Sequence, residues 1–385
     1  MPRRFARTSD WILSAAICAG SMAVHAAEPP QRVTVEQLNA VLAEKPGKTD
    51  AGLAGELGNL ELTERVSGRR LSQWMAALPG EQSKEALTIL ADSAEWLRPQ
   101  TDAVVANPVP DAATLGDMLV RAVQYANTTL HKLPDFLATR DTEAFEDRPT
   151  YDWLESTGTV SFSASRMHLA GRAAAEVTYR NGQEEQRASR SEGKHSEGGR
   201  GLATAGEFGP FLTTVLSDAL KGRVTWDRWE QGGDGIEAVF DFHVPRNLSH
   251  YEVVFCCVNE DPRKPFAIPQ FYRQVAAYHG EVAYDPATGV VRRVAIVAEQ
   301  GRDEMVQDAA MMVEYGPVLI AGKTVILPTR SVSLLGAHTS PPMDGMHTAR
   351  KWLGPVKTFL NDTEFVNYHQ FRGDVRMVND GVSGP

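Results

Sequence analysis

The hydrophobic period of this chain changes once, and that change limits what it can fold into. Up to about residue 135 apolar residues return every three or four positions, the spacing of one helix face. From about 155 onward they return every second position, the spacing of a half-buried strand. A chain of 385 residues is long enough for two such units. The reading is α+β: a helical domain over 27–137, a linker rich in charge and proline over 138–154, and a mostly antiparallel sheet over 155–372 with a short tail, 373–385.

In the helical part, LSQWMAAL (71–78) stops at Pro79-Gly80. Ser83 then caps a helix whose apolar face is Ala86, Leu87, Leu90, Ala91, Ala94 and Leu97. Asp111 caps the next, with Leu115, Met118, Leu119, Ala122, Ala126 and Leu130 in a stripe. In the second part, Asn181-Gly182 between two extended runs is a hairpin signal. IEAVFDFHV (236–244) alternates, with Ile236, Ala238, Phe240, Phe242 and Val244 on one face and Glu237, Asp241 and His243 on the other. Further pairs read over 281–299, which turns at Asp285-Pro286 and Gly289, and on either side of Ala321-Gly322-Lys323. TEFVNYHQF (363–371) reads as a closing strand. One helix interrupts the strands: FGPFLTTVLSDALKG (208–222) has Pro210 at its start, Gly222 at its end and Phe211, Leu212, Val215, Leu216 and Ala219 on one stripe. The polar stretches 184–200 and 336–355 read as loops.

The first 26 residues follow a different rule. Arg3, Arg4 and Arg7 precede the apolar run WILSAAICAGSMAV, and small residues allow cleavage after about Ala26, the plan of a secretory signal peptide. Cys18 follows Ile17, where a lipidation motif has Gly, Ala or Ser. No later apolar run is long enough to cross a membrane. The expected location is therefore the periplasm or another exported compartment. Removing three arginines and one aspartate takes the net charge from −10 to −12, which argues against nucleic acid as a partner.

Export bears on Cys256 and Cys257, adjacent in SHYEVVFCCV. Neighbouring Cα atoms are about 3.8 Å apart, closer than the roughly 4.4–6.8 Å of an ordinary disulfide. Two adjacent thiols without a second pair also make a poor zinc site. With Tyr251, Val253 and Phe255 alternating before it, Cys257 reads as a small buried hydrophobe, a strained vicinal disulfide or an intermolecular bridge being the alternatives.

The hairpin rhythm of AYDPATGVVRRVAI and VEYGPVLIAGKTVILPTRSV, with the 208–222 helix and the closing NDTEFVNYHQF, resembles the lipoprotein-sorting fold over about 155–372. GLATAGEFGPFL and SHYEVVFCCV also suggest a group of poorly characterised exported bacterial proteins. The resemblance implies a curved, half-barrel sheet around an apolar cavity for acyl chains, with helices as a lid held by an arginine. Two features depart from that pattern: Ala321 stands where the turn has a first glycine, and a large helical domain precedes the sheet.

Catalytic signatures are absent: there is no G-x-S-x-G, P-loop, G-x-G-x-x-G after a strand, or H-E-x-x-H. His338, Asp344 and His347 share one loop, and Asp241 and His243 share a strand face, but neither set is read as a metal or catalytic site. No cofactor is expected. The preferred reading is a non-enzymatic binding protein holding a lipid, a lipoprotein acyl chain or another apolar ligand in a groove lined by Phe240, Phe242, Val253, Phe255, Val294 and Ile296. The competing readings are an envelope interaction or sensing module that binds another envelope protein, and a hydrolase using the Asp241/His243 face or the 336–347 loop.

Overall fold

A computed structural model describes residues 30–44, 47–129, 133–154, 159–163, 165–192, 201–202, 204, 206–255, 272–301, 304–338 and 355–370. Cys18, Cys256, Cys257, Asp344, His347 and the proposed cleavage site lie outside them.

The chain opens with β1 (Gln31–Val33), α1 (Val35–Ala43), α2 (Asp50–Leu57) and β2 (Leu60–Leu62), then α3 (Gly68–Ala77) and α4 (Glu81–Asp92). β1 and β2 pair in parallel. Thr34 begins α1 with a reciprocal capping box, its side chain and that of Gln37 each accepting from the other's backbone N–H. α4 starts differently from the sequence expectation. Its N-cap is Gly80, and Ser83 lies inside the helix. The cap comes from another helix, because Asp50 at the start of α2 accepts from Gln82 N (3.1 Å) and Ser83 N (2.9 Å). Gly80 makes that possible, since a Cβ there would fall 2.5 Å from the Asp50 carboxylate. Leu38, Leu53, Leu57, Leu87 and Leu90 bury themselves in the resulting small core.

After β3 (Val104–Val105) comes α5 (Ala112–Thr129), capped by Asp111, whose carboxylate accepts from Thr114 N at 2.8 Å. α5 belongs to the sheet rather than to the helices before it: Met118, Ala122 and Ala126 sit in the sheet's main core. The 138–154 stretch is not a linker. Residues 136–146 form β4 (Phe136–Glu146), an interior strand whose Phe136, Ala138 and Phe145 are buried; its polar residues had hidden the alternation. β5 (Thr150–Leu154) and β6 (Thr159–Ser163) make a small hairpin.

β7 (His168–Arg180) and β8 (Gln183–Glu192) turn at Asn181-Gly182, both at positive φ as a type I′ turn requires. The expected 184–200 loop is therefore a strand to residue 192. α6 (Pro210–Lys221) follows as expected, then β9 (Arg223–Gln231), β10 (Ile236–Val244), β11 (Glu252–Phe255), β12 (Tyr272–Val275), β13 (Ala277–Tyr284) and β14 (Val291–Glu299). β15 (Val306–Ile320) and β16 (Lys323–His338) form a long hairpin, so 336–338 are strand rather than loop. β17 (Val356–Gln370) comes last in sequence yet pairs between β16 and β4, inside the sheet.

Eleven strands make one antiparallel sheet in the order β3-β9-β10-β13-β14-β15-β16-β17-β4-β7-β8. Its edge strands, β3 and β8, do not meet, so the sheet is a curved half-barrel and not a closed one. One face carries Phe240, Tyr278, Tyr284, Ile296, Met311 and Val313 beneath α5 and α6. Gly289 belongs to the β13–β14 turn, where a Cβ would fall 2.5 Å from the Arg121 backbone; the turn touches α5 directly.

The other face takes α4. Phe145, Ala295, Met312, Val332 and Leu360 pack there with Ile89 and Trp96. Between these apolar residues runs a row of buried ion pairs. Arg330 on β16 binds Asp92, Glu95 (3.1 Å) and Asp362 (2.9 Å). Arg293 on β14 joins Glu95 to Glu281, and Arg65 reaches Glu230 at 2.6 Å. Burial pushes Asp92 well above the usual carboxylate range despite the Arg330 charge. At Glu281 burial also favours the neutral acid, but Arg293, Arg65 and Arg228 outweigh it and bring the group to about 2.

Two outcomes follow from this packing. Arg330→Met leaves Asp92, Glu95 and Asp362 without their shared cation and lowers stability by about 3–5 kcal/mol, read from urea unfolding midpoints. Ala321 holds φ 50° in the β15–β16 turn, so Ala321→Gly relieves left-handed strain and raises stability by about 1 kcal/mol in the same assay.

Candidate functional site

The six residues expected to line a groove are brought together. Phe240, Phe242, Val253, Phe255, Val294 and Ile296 share one cluster, none more than 6% exposed. The alternation along β10 places Phe240 and Phe242 there, and Val294 and Ile296 come from β14 two strands away. The space above them is occupied. Phe211, Leu212, Val215 and Ala219 of α6 and Met118, Ala122 and Ala126 of α5 fill it, so in this structure these residues form a packed core and not an open groove.

The covering helix α6 is fastened at both ends. At its C-terminal end, buried Asp218 accepts from His250 N (2.7 Å) and the Tyr278 hydroxyl (3.2 Å), and His250 Nδ1 lies 2.6 Å from the same carboxylate. At its N-terminal end, Arg140 of β4 donates to the Thr204 carbonyl (3.1 Å) and pairs with fully buried Glu207 (3.2 Å). Glu184 of β8 accepts from Gly206 N at 3.1 Å. Burial and the nearby Glu207 charge raise Glu184 to about 7, against the pull of Arg140 and two backbone N–H groups. Arg140 thus holds the segment that leads into α6. Sequence offered no way to choose it, because its partners are 64 and 67 residues away.

Open space lies elsewhere. A cleft of about 490 Å³ separates α2 and α4 from the segment leading into β7. Leu57, Leu60, Ile89, Leu90, Met167 and Leu169 line it, with Ala86 and Ala94 as small positions on α4 and exposed Arg166 beside them. Arg166 donates to Asn59 Oδ1 and lies against Gly58. A second cleft of about 620 Å³, between α3 and the β9–β10 end of the sheet, is polar and lined by Arg65, Arg69, Arg70, Arg292, Glu237 and Glu314. Burial and the Glu230 charge raise Glu237 to about 7.

The polar face around Asp241 and His243 does not assemble a hydrolase triad. Asp241 Oδ2 lies 3.8 Å from Arg98, and His243 Nε2 lies 3.3 Å from Glu299; among the described residues no serine hydrogen-bonds to either. Asp227, Asp241 and Glu281 bring carboxylate oxygens within 4.8 Å of one another, but Arg98 and Arg228 already neutralise them. His338 ends β16, its N–H donating to the Met305 carbonyl at 2.8 Å.

No family model, no curated protein and no solved structure matches this chain. No helix among the described residues is long and apolar enough to cross a membrane.

The raised Glu184 gives a signed pH dependence. Its carboxyl binds a proton more tightly in the folded chain than in the unfolded one. The stabilisation it confers is complete below its ordinary value of 4.5 and is lost as pH rises towards 7. Glu184→Gln keeps an acceptor for Gly206 N, so it raises the urea midpoint above that of the parent at alkaline pH and leaves it unchanged in acid.

Proposed function

We propose that this chain is a non-enzymatic binding protein for an amphiphile, holding its acyl chain in the apolar cleft between α2, α4 and the segment entering β7. One observation carries the reading: this cleft, of about 490 Å³, is lined mainly by Leu, Ile, Met and Ala side chains. Small-molecule sites of about 300–1,000 Å³ have that apolar character with a few polar groups at the margin. Each methylene moved from water into such a space contributes about 0.8 kcal/mol. Arg166 supplies a positive charge beside the lining, suited to a carboxylate or phosphate head group. The lipoprotein-sorting resemblance and the expected export point to the same ligand class. The half-barrel face anticipated for it is filled by α5 and α6, and for that reason the ligand is placed in the open cleft.

The test is native mass spectrometry of protein purified from its source, followed by titration with hexadecanoic acid. A co-purified lipid, or saturable binding near a Kd of about 1 µM, is the expected result. Ala86→Trp fills the cleft and weakens binding more than about tenfold, while Arg166→Glu weakens acids but not the uncharged alcohol. A lipid-free protein that ignores both compounds, or an Ala86→Trp variant that binds as the parent does, overturns the reading.

A further inference from the structure

The polar face of the sheet carries a second constellation, separate from the apolar cleft. β10 and β13 pair in a register that sets His243 directly opposite His279. Side chains of directly opposed residues start from Cβ atoms about 4.5–5.5 Å apart. Glu299, at the end of β14, is the third member. His243 Nε2 lies 3.3 Å from Glu299 Oε1, and His279 Nδ1 lies 3.1 Å from the same oxygen. Gly280 lets β13 run close to β14, since a Cβ there would fall 2.0 Å from the Ala295 carbonyl oxygen. Both imidazoles line a cleft of about 410 Å³ with Asp241, two residues from His243 on the same face.

A single ion pair explains one imidazole beside one carboxylate. Two imidazoles from neighbouring strands converging on one carboxylate oxygen are a partly assembled ligand set. Zinc–nitrogen and zinc–oxygen bonds of about 2.0–2.2 Å in a tetrahedron place neighbouring ligand atoms about 3.3–3.5 Å apart. The two nitrogen-to-oxygen distances are already close to that edge length.

We propose that His243, His279 and Glu299 bind a divalent transition-metal ion, with Zn²⁺ the ion best matched to two imidazoles and a carboxylate. The fourth position is open to water in the cleft. The rings complete the site by turning towards one another. At present only the acidic trio Asp227, Asp241 and Glu281 has its ligand atoms mutually within 4.8 Å among the described residues. That turn is unobstructed by burial, because the His243 and His279 side chains are 39% and 52% exposed. Charge favours the ion here over the trio. Arg98 and Arg228 pair with Asp227, whereas among the described residues Glu299 has only the two imidazoles as ion-pair partners, with Arg98 and Arg223 elsewhere in the cleft lining. Imidazole and carboxylate donors suit Zn²⁺, Cu²⁺ and Ni²⁺ and offer no advantage to Ca²⁺.

The test uses the full chain with Cys18→Ser, Cys256→Ser and Cys257→Ser, so that thiolates do not compete. Calorimetric titration with Zn²⁺ is expected to give one ion per chain near a Kd of about 1 µM. Cu²⁺ bound at the same site is expected to show hyperfine coupling to two nitrogens in its electron paramagnetic resonance spectrum. His243→Ala and His279→Ala each weaken zinc binding by more than about tenfold and remove one nitrogen from the spectrum. His369→Ala, at an exposed imidazole on β17, changes neither measurement. All three histidines are surface groups, so circular dichroism is expected to show every variant folded. A His243→Ala/His279→Ala double variant that binds zinc as its parent does, or a parent that takes up none, overturns the proposal.

Discussion

The fold depends on how an eleven-stranded sheet hides the polar face that alternation forces on it. Every strand with an apolar side towards α5 and α6 presents its other side to the opposite face, where α4 and the residues after it cover part of the sheet. Charges taken out of water there must find partners or become neutral. Arg65, Arg228, Arg293 and Arg330 meet Glu230, Glu281, Glu95, Asp92 and Asp362 along a line that crosses seven strands, from β9 to β17. The row ties α4 to β14, β16 and β17 in one register, because each guanidinium bridges carboxylates from different elements.

The apolar face answers a different requirement. A curved sheet that does not close leaves a wide hydrophobic surface, and two amphipathic helices separated by about eighty residues supply the cover. Their side chains bring Phe240, Phe242, Val294 and Ile296 to full burial. Polar contacts then fix where α6 begins and ends, through Arg140 with Glu207 and Asp218 with His250 and Tyr278. Two of the open spaces lie at joins between the N-terminal helices and the sheet or the segment entering it: the apolar cleft beside α4 and the polar cleft beside α3.

Much of this was legible in residue spacing. The β10 alternation, the Asn181-Gly182 turn, the Asp111 cap and the α6 stripe all appear where local periodicity places them, since each depends on neighbours within a few positions. β4 was not legible, because FLATRDTEAFE is polar at positions whose partners are supplied by β7 and β17. The start of α4 misled for a related reason: Ser83 fits the capping rule, but Asp50 arrives from thirty-three residues earlier. The six residues expected in a groove share one cluster, and their covering by α5 was not legible. A helix stripe shows that a helix has an apolar partner and does not say which. His243 was noted beside Asp241 as a same-strand pair, yet the residues it meets are His279 and Glu299, on two other strands.

Local sequence therefore determined the kinds of element, the turn geometries and which side of each strand is apolar, because these follow from backbone sterics and from burial periods of two and 3.6 residues. The tertiary structure alone decided which arginine meets which carboxylate, which helix covers which strands and where space is left between them. Those outcomes rest on contacts between residues tens to hundreds of positions apart, and a hydrophobic period carries no record of the partner at the other end.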